Sequence, residues 1–189
     1  MAEVVLFHHA QGLTAGVLEF AAELRGSGHE VHTPDLYGGE TFADINDGVA
    51  HMKKIGFDTL MERSRKAVDA LPEGLVYAGM SMGAAPAQMF AQTRPGARGA
   101  LLMSGALPAS EFGGKWAEGV PLQIHGMEDD PWFKEDIEGA RELADLAGGE
   151  LFLYPGSKHL FADNSLPDFD EDAASVLKQR ALEFLDSLG

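Results

Sequence analysis

The stretch VYAGMSMGAAPAQ, residues 76–88, decides the fold class because an apolar run, a serine between two glycines and an alanine-rich run follow one another directly. The apolar run is typical of a buried strand, and the alanine-rich run is typical of a helix. Between them, Gly79 to Gly83 fit the pattern G-x-S-x-G, which in strand–turn–helix context presents a nucleophilic serine on a sharp turn. The pattern therefore favours Ser81 as a nucleophile over the alternative that small residues merely allow close packing here.

The rest of the chain alternates short apolar runs with longer amphipathic ones. This alternation predicts a single α/β domain over residues 1–189, with a mostly parallel sheet of about six or seven strands, helices on both faces and no large lid domain. The predicted strands cover residues 3–8, 30–36, 75–80, 99–105, 121–126 and 150–156, and the predicted helices cover residues 14–26, 57–71, 82–94, 134–147 and 171–188.

Residues 37–56 form the least regular part of the sequence, being rich in glycine and polar side chains. We expect a loop with one short helix here, lying over the carboxyl ends of the strands, where open parallel sheets bind their ligands. A plain surface connection is the alternative.

Composition narrows the possible partners. The chain has 14 Lys and Arg residues against 30 Asp and Glu residues, a net charge of −16, so its surface repels nucleic acid and anionic membranes. Because cysteine is absent, any nucleophile must be an oxygen or a nitrogen. The first residues, MAEVVLFHHA, lack the features of a signal peptide, and no apolar run approaches the roughly 18 residues of a membrane span. We expect a soluble cytoplasmic monomer or homodimer that acts on a small molecule.

A serine needs a base, and the base needs an orienting group. Among the seven histidines, His159 is best placed, because it follows the predicted strand 150–156 and precedes the last helix. Glu128, Asp129 and Asp130 all follow the predicted strand 121–126 and could supply the acid. The chain order serine, acid, histidine is that of the α/β hydrolases.

An oxyanion hole requires two backbone donors. The amide of Met82, directly after the serine, is one candidate, and the amide of Ala10, in the loop after the first strand, is the other. Gln11 is the alternative to Ala10, through its backbone or its side chain. His9 could contact the substrate or only satisfy hydrogen bonds within its loop.

Large apolar side chains flank the proposed reacting groups in the sequence. Trp132 and Phe161 are candidate substrate contacts, together with Met82 and Met127, since methionine adapts to varied shapes. The alternative is that these side chains belong to the core, and for Met80 the core is favoured.

Five fragments in order from end to end carry a family resemblance: HHAQGL, TPDLYGG, GMSMGA, HGMEDDPW and YPGSKHLFAD. The whole chain resembles the dienelactone hydrolase family of α/β hydrolases. The resemblance implies that Ser81 is the nucleophile, His159 the base and Asp130 the acid, with Asp129 as its competitor. It also implies hydrolysis of a small ester or lactone through an acyl-enzyme, with no cofactor and no metal.

Three departures from the family pattern bear on the chemistry. Ser81 stands where the best-known members have cysteine, His9 stands where they have a glutamate near the thiol, and the segment after His159 ends in Asp163 where an arginine is expected to bind the substrate's carboxylate. A neutral ester or thioester therefore fits better than an anionic lactone. Thioester cleavage, acyl transfer, perhydrolysis and a non-catalytic binding role on the same scaffold remain alternatives.

Overall fold

A computed structural model describes all residues, 1–189, and its centre is a sheet of six parallel strands in the order β2-β1-β3-β4-β5-β6. The strands are β1 (Glu3–Phe7), β2 (Glu30–His32), β3 (Val76–Met80), β4 (Gly99–Met103), β5 (Leu122–Met127) and β6 (Glu150–Tyr154). The prediction of a mostly parallel sheet is thus confirmed, and the strand number falls at the lower bound. The main difference is β2, which ends at residue 32 rather than 36.

Six helices cover the sheet: α1 (Ala15–Gly26), α2 (Ile45–Ile55), α3 (Phe57–Asp69), α4 (Ala84–Thr93), α5 (Ile137–Ala147) and α6 (Glu171–Ser187). One apolar core lies between the sheet and α3, α4 and α5, and a second lies between the sheet and α1 and α6. The strands serve both cores, since Val4 and Leu6 of β1 point to the second and Val5 and Phe7 to the first. The expected helices on both faces are therefore confirmed. None of the helices combines the length and the apolar character that a bilayer crossing requires.

The strand order reverses at β1, because β2 lies on one side of it and β3 on the other. The loops that leave the carboxyl ends of β1 and β3 therefore run in opposite directions and leave a crevice between them, which is where open α/β sheets bind ligands. The loop after β1 contains residues 8–14, and the turn after β3 contains Ser81.

The irregular segment 37–56 contains one helix, α2, whose amino terminus is capped by the Asp44 side chain. This helix lies against the loop after β1, since a Cβ added at Gly48 would collide with the Ala10 carbonyl. The segment also pairs with that loop through the backbone, because Phe42 N–H donates to the Gln11 carbonyl at 2.9 Å. The expectation of one short helix over the carboxyl ends agrees with these contacts.

Candidate active site

The turn after β3 holds Ser81 in a strained conformation with φ of 50°, in the left-handed region that non-glycine residues rarely adopt. A side chain at Gly79 would collide with the Gly83 carbonyl, and one at Gly83 would collide with the Phe7 carbonyl. The two motif glycines therefore allow the turn to fold back on β3 and to press against the end of β1. A short 3₁₀ turn, Ser81–Gly83, precedes α4, so the α-helix begins at residue 84 and not at 82.

The ring of His159 lies beside this serine. Ser81 Oγ and His159 Nε2 are 2.6 Å apart, although the two residues are 78 positions apart in the chain. His159 lies in the loop after β6, and its side chain is buried. The arrangement can transfer the hydroxyl proton to the ring as the oxygen attacks a carbonyl.

Asp130 meets the other ring nitrogen, since Asp130 Oδ2 lies 2.6 Å from His159 Nδ1. The carboxylate is fully buried, and its second oxygen accepts the Trp132 backbone N–H at 2.9 Å. Asp129, the alternative acid, is exposed and pairs instead with Lys134 at 3.1 Å. The structure therefore brings Asp130 to the imidazole and leaves Asp129 at the surface.

Backbone pairing beyond the ends of β5 and β6 explains how these loops meet. Glu128 N–H donates to the Tyr154 carbonyl and Asp129 N–H donates to the Gly156 carbonyl, both at 2.9 Å. The two chains thus stay paired for a few residues past the strands, and this pairing carries Asp130 towards the loop that holds His159.

The proposed oxyanion donors lie on the two loops that border the crevice. Phe7 pairs with Gly79 in the sheet, so the residues after β1 and those after β3 leave the sheet side by side. Ala10 is buried, and its N–H donates to no acceptor in the protein. Met82 lies at the beginning of the helical segment, where backbone N–H groups lack intrahelical partners. Both amides remain candidates for the oxyanion hole.

Gln11, the alternative donor, has other partners. Its side-chain amide donates to the carbonyls of Phe42 and Ala43 at 2.9 and 3.1 Å, and its backbone N–H donates to His9 Nδ1 at 3.2 Å. Both routes by which Gln11 could hold an oxyanion are therefore occupied. Its amide fixes the loop after β1 to the segment before α2.

His9 is directed away from the crevice and bonds to Asp163. The distance from His9 Nε2 to Asp163 Oδ2 is 2.8 Å, and both side chains are fully buried. Asp163 also accepts from the Thr14 hydroxyl at 2.5 Å and from the Ser165 hydroxyl at 2.6 Å. Burial works against the charge of Asp163, but these hydrogen bonds outweigh it and lower the pKa of the carboxyl. Of the two alternatives for His9, contact with the substrate or hydrogen bonds within the protein, these contacts support the second.

His8 fixes the same loop from the other side. His8 Nδ1 lies 2.8 Å from the His9 carbonyl, and His8 Nε2 accepts the Leu36 N–H at 3.0 Å. Burial lowers the pKa of His8 from 6.5 to about 4, so the ring is neutral near pH 7. His8 therefore joins the loop after β1 to the chain that follows β2.

The two aromatic candidates have different environments. Trp132 is 45% exposed, and its ring centroid lies 6.0 Å from that of His159, so it borders the crevice. Phe161 is only 1% exposed and packs against Tyr154 in the core beneath α6. Of the two alternatives for Phe161, contact with the substrate or a place in the core, the structure supports the core, although the residue is close to His159 in the sequence. Met80 and Met127 also lie in that core.

Tyr37 is a neighbour of the site that the sequence did not single out. Its hydroxyl lies 3.3 Å from Met82 Sδ, and its ring packs against His8 and His51. Burial raises the pKa of Tyr37 to about 12, so the phenol keeps its proton. Tyr37 lies within TPDLYGG, one of the fragments that carry the family resemblance, and this is the feature of the sequence that could have indicated it.

One group of side chains could hold a cation, but it lies elsewhere. Ligand atoms of Glu3, Glu30 and His32 lie within 4.8 Å of one another on β1 and β2. Glu3 begins its strand, so this group lies at the opposite end of the sheet from Ser81. His32 Nε2 already bonds to Glu3 at 2.8 Å.

Comparisons with known proteins agree with this architecture. The sequence matches the family model described as the dienelactone hydrolase family over residues 1–189. No curated protein matches the chain in sequence.

Solved structures with the same fold are distant in sequence. A dienelactone hydrolase-like promiscuous phosphotriesterase from metagenomic libraries has a TM-score of 0.80 at 18% identity, covering 100% of this chain and 87% of its own. A dienelactone hydrolase from Anabaena variabilis has a TM-score of 0.69 at 17% identity, covering 98% and 86%. A metagenome-derived lipolytic enzyme has a TM-score of 0.66 at 18% identity, covering 98% and 94%. At such identities the likeness concerns the fold.

Proposed function

The chain belongs to the dienelactone hydrolase family, and from that premise we propose that it is a serine hydrolase of small carboxylic esters or lactones. The observation that carries the proposal is the hydrogen-bonded chain from Ser81 Oγ to His159 Nε2, and from His159 Nδ1 to Asp130 Oδ2, with 2.6 Å at each step. Membership of the family supports hydrolysis, and the arrangement of side chains supports a serine nucleophile.

In the proposed first step, Ser81 Oγ attacks the substrate carbonyl and its proton passes to His159 Nε2. Asp130 accepts a hydrogen bond from Nδ1–H, which keeps the proton on Nδ1 and leaves Nε2 to act as the base, and its charge stabilises the imidazolium that forms. The Trp132 N–H bond to the second oxygen of Asp130 keeps the carboxylate in this orientation. The ring then returns the proton to the leaving alcohol.

The negative charge that develops on the carbonyl oxygen needs donors that are already in place. We assign these to the amides of Met82 and Ala10. The free N–H of Ala10 supports this choice over Gln11, both of whose donor groups are engaged. In the second step a water molecule, activated by His159, releases the acid and regenerates Ser81.

A neutral ester or thioester is the preferred substrate class. The net charge of −16 disfavours the approach of anions. Trp132 and Met82 provide apolar surface beside the proposed nucleophile, while Asp163, which replaces the arginine expected for an anionic substrate, is fully engaged in the interior. We further propose that the protein is cytoplasmic, that its substrate is a small soluble molecule, and that it binds neither nucleic acid nor membranes.

The direct test is covalent labelling with a fluorophosphonate, followed by mass spectrometry of the peptide covering residues 76–94. We expect a single adduct on Ser81 and hydrolysis of p-nitrophenyl acetate by the wild type, and neither after Ser81→Ala. Folded wild-type protein that neither labels at Ser81 nor hydrolyses any ester, thioester or phosphotriester in a panel would refute the proposal. Such a result would favour a non-catalytic binding role.

A further inference from the structure

Two residues other than glycine have a left-handed backbone, Ser81 with φ of 50° and Ser104 with φ of 54°. They occupy equivalent places on neighbouring strands, because Met80 pairs with Met103 at the last position of the β3–β4 register. Ser104 therefore follows β4 just as Ser81 follows β3. A strained conformation of this kind persists only when the surroundings enforce it, and such positions concentrate at functional sites.

The Ser104 side chain reaches the loop that carries the proposed base. Its hydroxyl donates to the backbone carbonyl of His159 at 2.6 Å. Its own N–H donates to the His125 carbonyl at 2.7 Å, so the residue is anchored to β5. Ser104 is buried, and the bond to His159 is therefore shielded from competition by water.

The next residue touches the other half of the site. A Cβ added at Gly105 would lie 2.9 Å from the carbonyl oxygen of Ser81 and 3.4 Å from its Cα. The dipeptide Ser104–Gly105 thus contacts the nucleophile turn on one side and the histidine loop on the other. It links the two segments whose separation sets the distance from Ser81 Oγ to His159 Nε2.

The choice of serine at this backbone conformation is informative. Glycine adopts a positive φ without strain, and the chain uses glycine at twelve such positions. Residue 104 is a serine despite the strain of its positive φ. What serine has and glycine lacks is the hydroxyl, which here bonds to the His159 carbonyl.

We propose that Ser104 is a positioning residue for the proposed hydrolysis: its hydroxyl fixes the backbone of His159 so that Nε2 stays within hydrogen-bonding distance of Ser81. The inference rests on the proposed function. His159 is held at its other backbone atom as well, since its N–H donates to Asp168 Oδ2 at 3.2 Å. That bond is longer and Asp168 is partly exposed, so Ser104 provides the firmer anchor.

The experiment compares Ser104→Ala with Ser104→Gly, because the two variants separate the hydroxyl from the strain. Both lose the bond to His159, but glycine relieves the left-handed backbone and alanine does not. Ser64→Ala is the matched control, since Ser64 is a buried serine on α3 whose hydroxyl also bonds to a backbone carbonyl, that of Leu60 at 2.9 Å. We measure kcat and KM for p-nitrophenyl acetate together with the melting temperature.

A positioning role predicts that kcat falls about 10- to 100-fold in both variants at residue 104, because small misplacements of reacting groups have effects of this size. KM stays within about threefold, and kcat of Ser64→Ala within about twofold. The melting temperature of Ser104→Gly exceeds that of Ser104→Ala, so the loss of activity does not follow stability.

Other outcomes overturn the inference in distinguishable ways. If the wild type is active and Ser104→Gly retains its kcat, the hydroxyl does not position His159 and only this inference fails. If activity falls only in proportion to the folded fraction, Ser104 is merely structural. If wild-type protein fails both to label at Ser81 and to hydrolyse esters, the proposed function fails and the positioning role fails with it.

Discussion

The molecule contains two buried histidine–aspartate pairs that resemble each other closely. His159 and Asp130 are 2.6 Å apart at their bonded atoms, and His9 and Asp163 are 2.8 Å apart. In both pairs the carboxylate is fully buried and accepts further hydrogen bonds. Residue types, distance and burial therefore do not distinguish the pair that we assign to chemistry from the pair that we assign to structure.

The second ring nitrogen does distinguish them. His159 presents Nε2 to the hydroxyl of Ser81, a partly exposed side chain at the crevice. His9 uses its second nitrogen, Nδ1, to accept the backbone N–H of Gln11. The acceptor nitrogen of His9 is bound by a backbone N–H, which does not give up its proton, whereas the acceptor nitrogen of His159 faces a hydroxyl that can transfer its proton as it reacts. The partner of the ring nitrogen that does not face the aspartate therefore decides the role of each pair. A reactive hydroxyl at that nitrogen gives a proton path, and a backbone N–H gives a structural pair.

The largest expected effect comes from disturbing the first pair. In Asp130→Asn the side-chain amide can donate to Nδ1 and so favours the ring tautomer that cannot accept the Ser81 proton. We expect kcat to fall by about 10³- to 10⁴-fold, as is typical when the acid of a triad is converted to its amide. The measurement is steady-state hydrolysis of p-nitrophenyl acetate. Asp129→Asn is the matched control and should change kcat by less than about twofold, since that side chain is exposed. Equal losses in both variants would contradict the assignment.

A stability effect is expected from the second pair. Asp163 accepts from His9, from the Thr14 hydroxyl, and from both the amide and the hydroxyl of Ser165. In Asp163→Asn, one of the two accepting carboxylate oxygens is replaced by an NH₂ group, which can only donate. The variant should therefore have a free energy of unfolding lower by about 2–4 kcal/mol. Urea denaturation measures this change.

The activity of the folded Asp163→Asn variant should fall by less than about tenfold, because the pair does not exchange protons with the substrate. Asp44→Asn, at an exposed helix cap where asparagine serves equally well, is the control and should leave stability nearly unchanged. A loss of kcat as large as that of Asp130→Asn, without any loss of stability, would show that the two pairs are not different in kind.

The smallest effect concerns pH and extends the comparison to His8, another ring with both nitrogens bound within the fold. Its folded pKa of about 4 lies below the unfolded value of 6.5, so the unfolded chain binds more protons between these values. Stability therefore falls as the pH decreases through this window, by about 1 kcal/mol per pH unit from this residue. The loss stops below about pH 4, where the folded ring also takes up its proton.

Urea denaturation at pH 6 and pH 5 should show this dependence in the wild type and a smaller one in His8→Asn. Part of the dependence should remain in the variant, because burial also lowers the pKa of His125, to about 3. His32→Gln, at the partly exposed edge of the sheet, serves as the control for removing a histidine. Identical slopes in wild type and His8→Asn would show that burial does not hold His8 neutral in the folded protein.

Local patterns were sufficient for the positions that depend on chain order. The sequence around Ser81 predicts a strand, a turn and a helix, and the structure has them within a few residues. The position of His159 after a strand predicts that it lies near Ser81, and the parallel sheet does bring its loop to the same edge. The ordered fragments predict the family, and the alternation of apolar and amphipathic runs predicts the fold; both predictions are confirmed.

Side-chain direction could not be predicted in the same way. Phe161 lies two residues from His159, yet its ring faces the core, whereas Trp132, two residues from Asp130, faces the crevice. Asp129 and Asp130 are equivalent candidates by position, and only the pairing beyond β5 and β6 separates them. The sequence marks His9 and Asp163 separately as departures from the family pattern, but nothing in their local sequence indicates a bond across 154 positions.

The sequence by itself determined which elements form, in what order, and at which strand ends a hydroxyl, a ring and a carboxylate occur, because periodicity and turn chemistry act over a few neighbouring residues. The tertiary structure decided which carboxylate bonds to which ring, and which ring presents a nitrogen to Ser81 at the crevice. Such choices depend on loops that meet in space through packing and hydrogen bonds, and the direction of a side chain in a loop is fixed only when its distant partners are in place.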